Sequence, residues 1–168
     1  MTEFSAIPTR SGLLVDVRLA SEADETALEA FFDQVNDDDR RFRFFSANNH
    51  IGHDQLIPLV KTDHFHSESF LGFDHATGEL IASGLLACDD AMQTAEVAVS
   101  VRADYRGKGV GWAMLDLLAT EAQKRGVSKV MAIENRENHA AIELEREKGF
   151  KPEAVQDDPG IVILTKTF

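Results

Sequence analysis

The stretch YRGKGVGWAM, residues 105–114, places three glycines and two cations ahead of an apolar helical pattern. From Gly109 to Arg125 the apolar residues recur at spacings of three and four, and Gly126 stands where such a helix would end. A glycine-rich loop that opens a helix directs several backbone N–H groups, and the positive end of the helix dipole, toward one point. The stretch therefore predicts a loop and helix that can hold an anion such as a phosphate.

Two common nucleotide-binding loops do not fit these glycines. The P-loop needs Lys followed by Ser or Thr after its last glycine, whereas Gly111 is followed by Trp112. The dinucleotide fingerprint needs GxGxxG, whereas the spacing here is GxGxG and no parallel βαβ unit surrounds it. Taken alone, such a loop is more often an ordinary glycine turn, so the surrounding sequence has to decide.

Upstream of the loop the pattern predicts mainly strands. Residues 13–20 alternate as a strand, and Ser21 with Asp24 offers a helix cap before the apolar residues that follow. Residues 36–50 show no clean period, and a short helix interrupted by Pro58 comes next. The segments predicted as three strands of an antiparallel meander are 69–74, 79–88 and 94–101, of which the first two flank a hairpin turn at 75–78.

Downstream of the glycine loop the chain predicts a strand, a helix and a hairpin. Residues 128–135 have the strand pattern, and Asn138 can cap a helix that ends at Gly149 and Phe150. The last segments form a predicted hairpin about DDPG at 157–160. No linker, repeat or low-complexity segment divides this order, so residues 1–168 are expected to form a single domain.

Composition excludes several classes of function. The chain has 29 acidic and 17 basic residues, and its formal charge of −12 opposes binding to nucleic acid and favours cationic partners. No apolar run approaches the roughly 20 residues of a membrane span, and the N-terminus lacks the pattern of a secretory signal. We therefore expect no membrane partner and a cytoplasmic location. Cys88, the only cysteine, lies in an apolar run and is expected to be a small buried residue.

The order of these elements resembles the GNAT superfamily of N-acetyltransferases. Its central motif, a strand followed by Arg-x-x-Gly-x-Gly at the start of a helix, is matched by Arg106, Gly109 and Gly111. The segments VRLASEAD, AEVAVSVRADYRGKGVG and ENHAAIELEREKGF extend the resemblance over most of the chain. It implies an α/β fold with a mixed, mostly antiparallel central sheet, splayed fourth and fifth strands, and flanking helices.

The same resemblance implies where acetyl-CoA, the co-substrate, would bind. The backbone of the glycine loop would hold the pyrophosphate, helped by two cationic side chains; the residues are Arg106, Gly107, Lys108, Gly109, Val110 and Gly111. The backbone of Val99 and Val101 would bond the pantetheine arm in the gap between the splayed strands. Asn138 would contact the same arm, and the alternative for this residue is a plain helix cap.

An amine acceptor needs a base, because exposing the lone pair of a lysine-like amine at pH 7 costs about 4.6 kcal/mol. Period two in residues 94–101 places Glu96 on one face with small neighbours. GNAT enzymes that resemble bacterial Pat-type protein lysine acetyltransferases carry a catalytic glutamate in a similar pattern, which makes Glu96 the candidate base; the alternative is a solvated strand glutamate. Residues 41–46, RFRFFS, loosely resemble the same subset, or pack an irregular loop on the core.

Three features depart from the family pattern or stand outside it. Many members place a tyrosine, as general acid, where this chain has Glu145, so no general acid is assigned. Trp112 is bulky for its position directly after the phosphate loop, and the sequence does not explain why it is there. His64 and His66 lack a third and fourth ligand, so we expect no metal and interpret them as loop residues near the substrate entrance.

These observations predict an N-acetyltransferase that moves acetyl from acetyl-CoA to a primary amine by direct attack. Three hypotheses remain for its role: a protein lysine acetyltransferase, an acetyltransferase of a small amine, and a non-catalytic acyl-CoA sensor. Pat-like domains are commonly joined to a regulatory module, for which this chain has no room, and this weighs against a protein acceptor. The sequence leaves open the acyl chain length and the oligomeric state, a homodimer included.

Overall fold

The computed structural model describes residues 5–44, 50–154 and 160–168, which form one eight-stranded sheet in the order β1-β2-β3-β4-β5-β6-β8-β7. The strands are β1 Ser5–Pro8, β2 Leu14–Leu19, β3 Ser67–Asp74, β4 Leu80–Cys88, β5 Thr94–Val101, β6 Lys129–Asn135, β7 Lys151–Ala154 and β8 Ile161–Thr167. The helices are α1 Glu25–Asp33, α2 Asp37–Phe44, α3 His53–Val60, α4 Val110–Lys124 and α5 His139–Glu147. All neighbouring strands are antiparallel except β5 and β6, so the predicted mixed, mostly antiparallel sheet is confirmed.

The predicted meander is β3, β4 and β5, in which Leu71 lies opposite Ser83 and Ser83 opposite Ser100. Strand β1 was not predicted. It has only four residues and ends at Pro8, and it pairs with β2 through Ile7 opposite Val15. Because of this extra strand, the expected fourth and fifth strands of the family are β5 and β6 in chain order.

Helices cover both faces of the sheet. On one face α4 lies against β4 and β5, with Met114 and Leu118 fully buried. On the other face α1 and α3 form a second core around Leu28, Phe32 and Leu56. The predicted helix over 109–125 is confirmed as α4, and Gly126 follows its end with φ +83°.

Helix α5 is capped as predicted, because Asn138 Oδ1 accepts a hydrogen bond from the Ala141 N–H at 3.4 Å. Helix α2, by contrast, replaces the irregular loop considered for this region. Its first turn is acidic and its last turn basic, which complements the helix dipole. The buried Arg40 guanidinium holds it to α1 by donating to the carbonyls of Phe32 and Val35 at 3.1 and 3.2 Å. The end of RFRFFS and most of DDPG lie outside the described residues.

The parallel contact between β5 and β6 is short, and this shapes the functional region. It covers only Thr94–Glu96 of β5 and 129–131 of β6, and the two strands separate beyond it. The predicted splay of these strands is therefore present, with Glu96 at its vertex. Within the described residues, no helix is both long enough and apolar enough to cross a bilayer.

Candidate active site

A cavity of about 370 Å³ opens where β5 and β6 separate. Its walls are the backbone of β5, the glycine loop with the start of α4, the end of β6 and the inner side of α5. Nine of the ten residues that the sequence predicted for the site line this cavity: Glu96, Val99, Val101, Arg106, Gly107, Gly109, Val110, Gly111 and Asn138. The tenth, Lys108, lies in the same loop but does not line the cavity. The volume is in the range of ordinary small-molecule sites.

The hydrogen bonds around β5 show which of its backbone groups face the cavity. The Arg102 N–H donates to Ile81 of β4 at 2.9 Å, whereas the Gln93 carbonyl accepts from Ser128 on the β6 side at 3.0 Å. Because successive residues of a strand alternate in direction, the N–H and C=O groups of Val99 and Val101 point toward β6. No strand of the described residues pairs with them on that side beyond Glu96, so they are available to a ligand.

The side chains of β5 alternate between the two faces of the sheet, as predicted. Gly84 lies opposite Val99, and a Cβ on Gly84 would be 3.3 Å from Met114 and Leu118 of α4. The odd-numbered residues of β5 therefore share the face that α4 covers. Glu96 projects from the opposite face and is exposed. The cavity thus passes between the strands from the α4 face to the face on which Glu96 lies.

The glycine loop is held by the turn between β1 and β2. Gly109 has φ +82°, and a Cβ added to it would lie 3.1 Å from the backbone nitrogen of Arg10. Ser11 Oγ donates to the Lys108 carbonyl at 2.6 Å. A glycine is required at this point both by the left-handed backbone and by the close approach of the turn.

Arg106, the predicted phosphate ligand, is paired with a carboxylate of α2. Its Nε lies 3.2 Å from Asp39 Oδ2. Burial raises the pKa of Asp39, while the positive charge of Arg106 acts in the opposite direction. A phosphate that reaches the loop would therefore compete with Asp39 for the same guanidinium.

Trp112 has a structural explanation that the sequence did not reveal. The Lys148 Nζ lies 3.4 Å from the centroid of its ring, and the Arg10 guanidinium carbon lies 5.0 Å from it. Lys148 also pairs with Asp116 of α4 at 2.7 Å. The indole thereby links the start of α4 to the end of α5 and to the β1–β2 turn, at the rim of the cavity.

Sequence reasoning missed Arg43, which lies on α2 and lines the cavity. Helix α2 packs against both β5 and β6 and so spans the gap between them. Burial lowers the pKa of Arg43, and the nearby charges of Glu96 and Glu134 oppose that effect. The only sequence signal was the loose resemblance of RFRFFS, residues 41–46, and it assigned no role to Arg43, because the helix that carries this residue was not predicted.

Glu134, which is half-buried, and Glu145, which is buried, form an acidic pair on the opposite wall. Glu145 is only 6% exposed, and Glu134 Oε2 accepts a hydrogen bond from Asn138 Nδ2 at 3.3 Å. Burial raises the pKa of both carboxyls, and the negative charge of Glu134 raises that of Glu145 further. The pair, in which Glu145 is hydrogen-bonded to Glu134, therefore holds a proton more tightly than a solvated carboxyl does. The sequence marked Glu145 only as a departure from the family pattern and did not mark Glu134.

His64 and His66 lie at the far end of α4 and not at the substrate entrance as expected. His64 Nδ1 is 2.7 Å from Glu68, and His66 Nδ1 is 2.9 Å from Asp63. The Arg125 guanidinium holds this segment by donating to the Phe65 carbonyl at 3.1 Å. In the described parts of the chain, no three His, Cys, Asp or Glu side chains are grouped to hold a metal ion.

Cys88 is half-buried, and it does not line the cavity. Burial raises the pKa of its thiol, which opposes formation of a reactive thiolate. Cys88 packs against the core, but it is only half-buried, where the sequence predicted a buried residue.

Comparison with known proteins identifies the fold and the family. The model of the Acetyltransferase (GNAT) family matches residues 22–150. Acetyltransferase PA5475 of Pseudomonas aeruginosa is 27% identical over 155 residues, which cover 90% of this chain and 83% of that protein. The solved GNAT domain of S. lividans PAT has a TM-score of 0.89 at 22% identity and covers 98% of this chain and 97% of its own.

A cAMP-binding acyltransferase from Mycobacterium smegmatis is also similar, with a TM-score of 0.67 at 19% identity; the match covers 99% of this chain but 47% of that one. This chain therefore spans about half the length of that protein. The family match extends over most of the chain and includes β3 to β6, the glycine loop and α5. The chain belongs to the GNAT family of acetyltransferases.

Proposed function

We propose that this acetyltransferase transfers acetyl from acetyl-CoA to a primary amine by direct attack, with Glu96 as the base. The observation that carries the proposal is the separation of β5 from β6. It creates a cavity that has the glycine loop at one end and an exposed glutamate at its vertex. The two ends lie on different faces of the sheet, so coenzyme and acceptor can approach each other from opposite sides.

The coenzyme site is proposed from backbone groups and nearby cations. The N–H groups of residues 106–111, at the start of α4, suit a pyrophosphate. The free backbone edge at Val99 and Val101 suits the amide groups of a pantetheine arm, which can bond as an added strand does. Asn138 lines the opposite wall, and its amide caps α5 and donates to Glu134, which leaves one N–H for the arm.

The chemistry follows from the position of Glu96. A protonated amine that enters on the α2 side gives a proton to the Glu96 carboxylate, and the freed lone pair attacks the thioester carbonyl. The C–N bond forms and the C–S bond breaks with its electron pair going to sulfur. The nitrogen then loses its second proton and the sulfur gains one, so the products are a neutral amide and the coenzyme A thiol, with the first proton of the ammonium left on Glu96. On the acceptor side, the Glu96 carboxylate favours a cationic amine, and the charge of Arg43 on α2 opposes this effect.

The acceptor is proposed to be a lysine side chain of a protein or a small amine. The strongly acidic surface suits a basic protein segment. The small amine is favoured by a specific observation, since α2 lies across the gap between β5 and β6 and narrows the approach to Glu96. A lysine side chain is slender enough to pass the same opening, so a functional test must distinguish the two.

Release of coenzyme A from acetyl-CoA should be measured with three sets of acceptors: intact basic proteins, lysine-containing peptides, and small amines. Turnover with proteins and peptides but not with small amines would support a protein substrate, and the reverse would support a small amine. Binding of acetyl-CoA without release of coenzyme A in any set would favour the sensor hypothesis. Absence of acetyl-CoA binding would contradict the proposed site altogether.

A further inference from the structure

Arg43 lines the cavity, and the chemistry described so far does not use it. Helix α2 turns Asp39, Phe42 and Arg43 toward the cavity, because residues three and four apart share one side of a helix. Arg40, on the adjoining side, holds α2 to α1. Both helices lie on the face of the sheet from which Glu96 projects, and α2 crosses the gap between β5 and β6 there. Arg43 therefore borders the side of the gap by which the acceptor is proposed to enter.

The ionisable side chains that line the cavity are of two kinds, paired and unpaired. Those that form a hydrogen bond or an ion pair with another described residue are Arg10, Asp39, Tyr105, Arg106, Glu134 and Glu145. Within the described parts of the chain, Glu96 and Arg43 form neither. The negative charge of Glu96 acts on Arg43, but the two side chains are too far apart to pair. The acceptor side of the gap thus carries two opposite charges that do not meet.

Glu134 also acts on Arg43, but its position makes it a poor partner. It shares a face of β6 with Ala132, which belongs to the core under α4, so its side chain projects away from α2. On that face it is hydrogen-bonded to Glu145 of α5. Glu134 is therefore held on the far side of the gap, and Arg43 is left without a carboxylate in contact.

A half-buried guanidinium without an ionic partner loses part of its hydration and gains no contact in return. A carboxylate suits the Arg43 side chain, because two parallel N–H groups of a guanidinium match the two oxygens of a carboxylate. An ammonium group suits Glu96 for the same electrostatic reason. One small molecule that carries both groups would satisfy both side chains at once.

On the basis of the proposed function, we infer that Arg43 binds a carboxylate of the acceptor, which is therefore a small amino acid. Its ammonium group faces Glu96 and its carboxylate faces Arg43. The carboxylate takes no part in the bond changes; it holds the amine beside Glu96. A plain amine would leave Arg43 unpaired, and a lysine side chain within a protein carries no carboxylate next to its amine. The N-acetylated product lacks the ammonium charge, so it fits the site less well than the substrate does.

The inference is tested by comparing each of the common L-amino acids with its own primary amide, which lacks the carboxylate. The measurement is kcat/KM from release of coenzyme A, expressed as the ratio of acid to amide. Arg43→Gln should lower this ratio by roughly 10- to 100-fold, the usual worth of a charge-assisted, bidentate contact. Acid and amide differ in amine pKa, but this difference is the same for every enzyme variant. The change in the ratio between variants therefore reports the carboxylate contact alone.

Two further variants separate this contact from a general effect of charge or folding. Arg41→Gln removes the same charge from the same helix, and Arg41 is exposed and outside the cavity lining, so the ratio should not change. Arg43→Lys keeps the charge but not the paired N–H groups, so it should retain part of the ratio. The Lys variant also carries the test if Arg43→Gln does not fold. Acetyl-CoA affinity should be the same in all of them.

The outcomes separate this inference from the proposed function. Turnover with the same ratio in the wild type and Arg43→Gln would overturn the inference and leave the proposed function intact. Turnover only with peptides whose lysine adjoins Asp or Glu would overturn the small amino acid as acceptor. If no acceptor is acetylated, the amino acids are titrated by calorimetry into protein saturated with coenzyme A. Binding that Arg43→Gln abolishes and Arg41→Gln keeps would support the carboxylate site, and no binding to the wild type would overturn it.

Discussion

Replacing Glu96 with Gln tests the proposed base with little disturbance of the structure. The two side chains are nearly the same size, and Glu96 is exposed at the vertex of the cavity. It makes no hydrogen bond or ion pair within 4 Å in the described residues. Arg43 keeps Glu134 as a neighbouring negative charge, so the substitution does not leave a buried cation unpaired. We therefore expect the free energy of unfolding to change by no more than about 0.5 kcal/mol.

The expected kinetic effect follows from the proton that the base accepts. With a pKa near 10.4, only about one in 2,500 lysine-like amines is uncharged at pH 7, which corresponds to about 4.6 kcal/mol. A positioned base typically contributes about 10²- to 10⁴-fold in rate, and the penalty lies within this range. Turnover by Glu96→Gln at pH 7 should therefore fall by roughly two to four orders of magnitude. Acetyl-CoA affinity should remain close to that of the wild type, because the glycine loop is unchanged.

The assay is the initial rate of coenzyme A release as a function of pH, together with acetyl-CoA affinity from calorimetry. The variant's rate should rise nearly tenfold per pH unit below the amine pKa, since free amine then forms without the enzyme. The wild type should instead reach a plateau once its base is ionised. Equal losses in turnover and in acetyl-CoA affinity would assign Glu96 a role in shaping the cavity. Near-normal turnover with Gln would refute the reasoning and restore the solvated-strand interpretation.

Four further predictions concern the coenzyme site and the acidic pair. Acetyl-CoA should bind with the same affinity in the presence of EDTA, by calorimetry; loss of binding that zinc restores would refute a metal-free site. Arg106→Ala should weaken acetyl-CoA binding. Asp39→Asn should strengthen binding by up to about fivefold at low salt, because the ion pair between Asp39 and Arg106 is worth at most about 1 kcal/mol. Weaker binding by Asp39→Asn would contradict the proposed competition between Asp39 and phosphate for Arg106. Gly109→Ala should lower stability by about 1–2 kcal/mol and also weaken acetyl-CoA binding, because its Cβ would meet the Arg10 backbone at φ +82°; unchanged melting and affinity would contradict this. Finally, the pKa of the Glu145 carboxyl is raised in the folded chain, so above about pH 4.3 the unfolded chain binds fewer protons than the folded chain. The free energy of unfolding therefore falls as pH rises toward the folded-state pKa. Glu145→Gln should reduce this slope and raise the melting temperature at pH 8, and an unchanged slope would contradict the raised pKa.

The sequence predicted the elements whose stability is local. Helix α4 has a regular apolar period and a glycine at its end, and the strands of the meander are short runs rich in apolar residues and separated by turns. These patterns do not depend on what packs against them. Strand β1 and helix α2 were missed for the opposite reason. The four residues of β1 pair with β2, and α2 depends on the buried Arg40, which donates to carbonyls of α1 and of the segment just after it.

The residues of the candidate site that the sequence predicted differ from those it missed in the same respect. Glu96 and the glycine loop were found because each lies within one continuous segment whose pattern can be compared with a family. Arg43, Glu134 and the contact of Glu134 with Glu145 were not found, because α2, β6 and α5 bring them together only in the folded chain. For Gly109, the sequence explained only part of the need for a glycine. The sequence suggested room for a phosphate, whereas the structure adds the Arg10 backbone at 3.1 Å as a second reason for glycine.

Glu96 and Glu145 lie in different environments because β5 and β6 separate between them. Glu96, exposed on one face, has solvent and a nearby guanidinium to stabilise a negative charge. Glu145, buried on the other face beside a carboxylate, holds a proton more tightly. Two adjacent carboxyls, with a buried Glu145 oxygen that no described residue hydrogen-bonds, destabilise a fold relative to apolar side chains of similar volume. The wall of the cavity therefore carries a cost in stability that packing of the described residues does not explain.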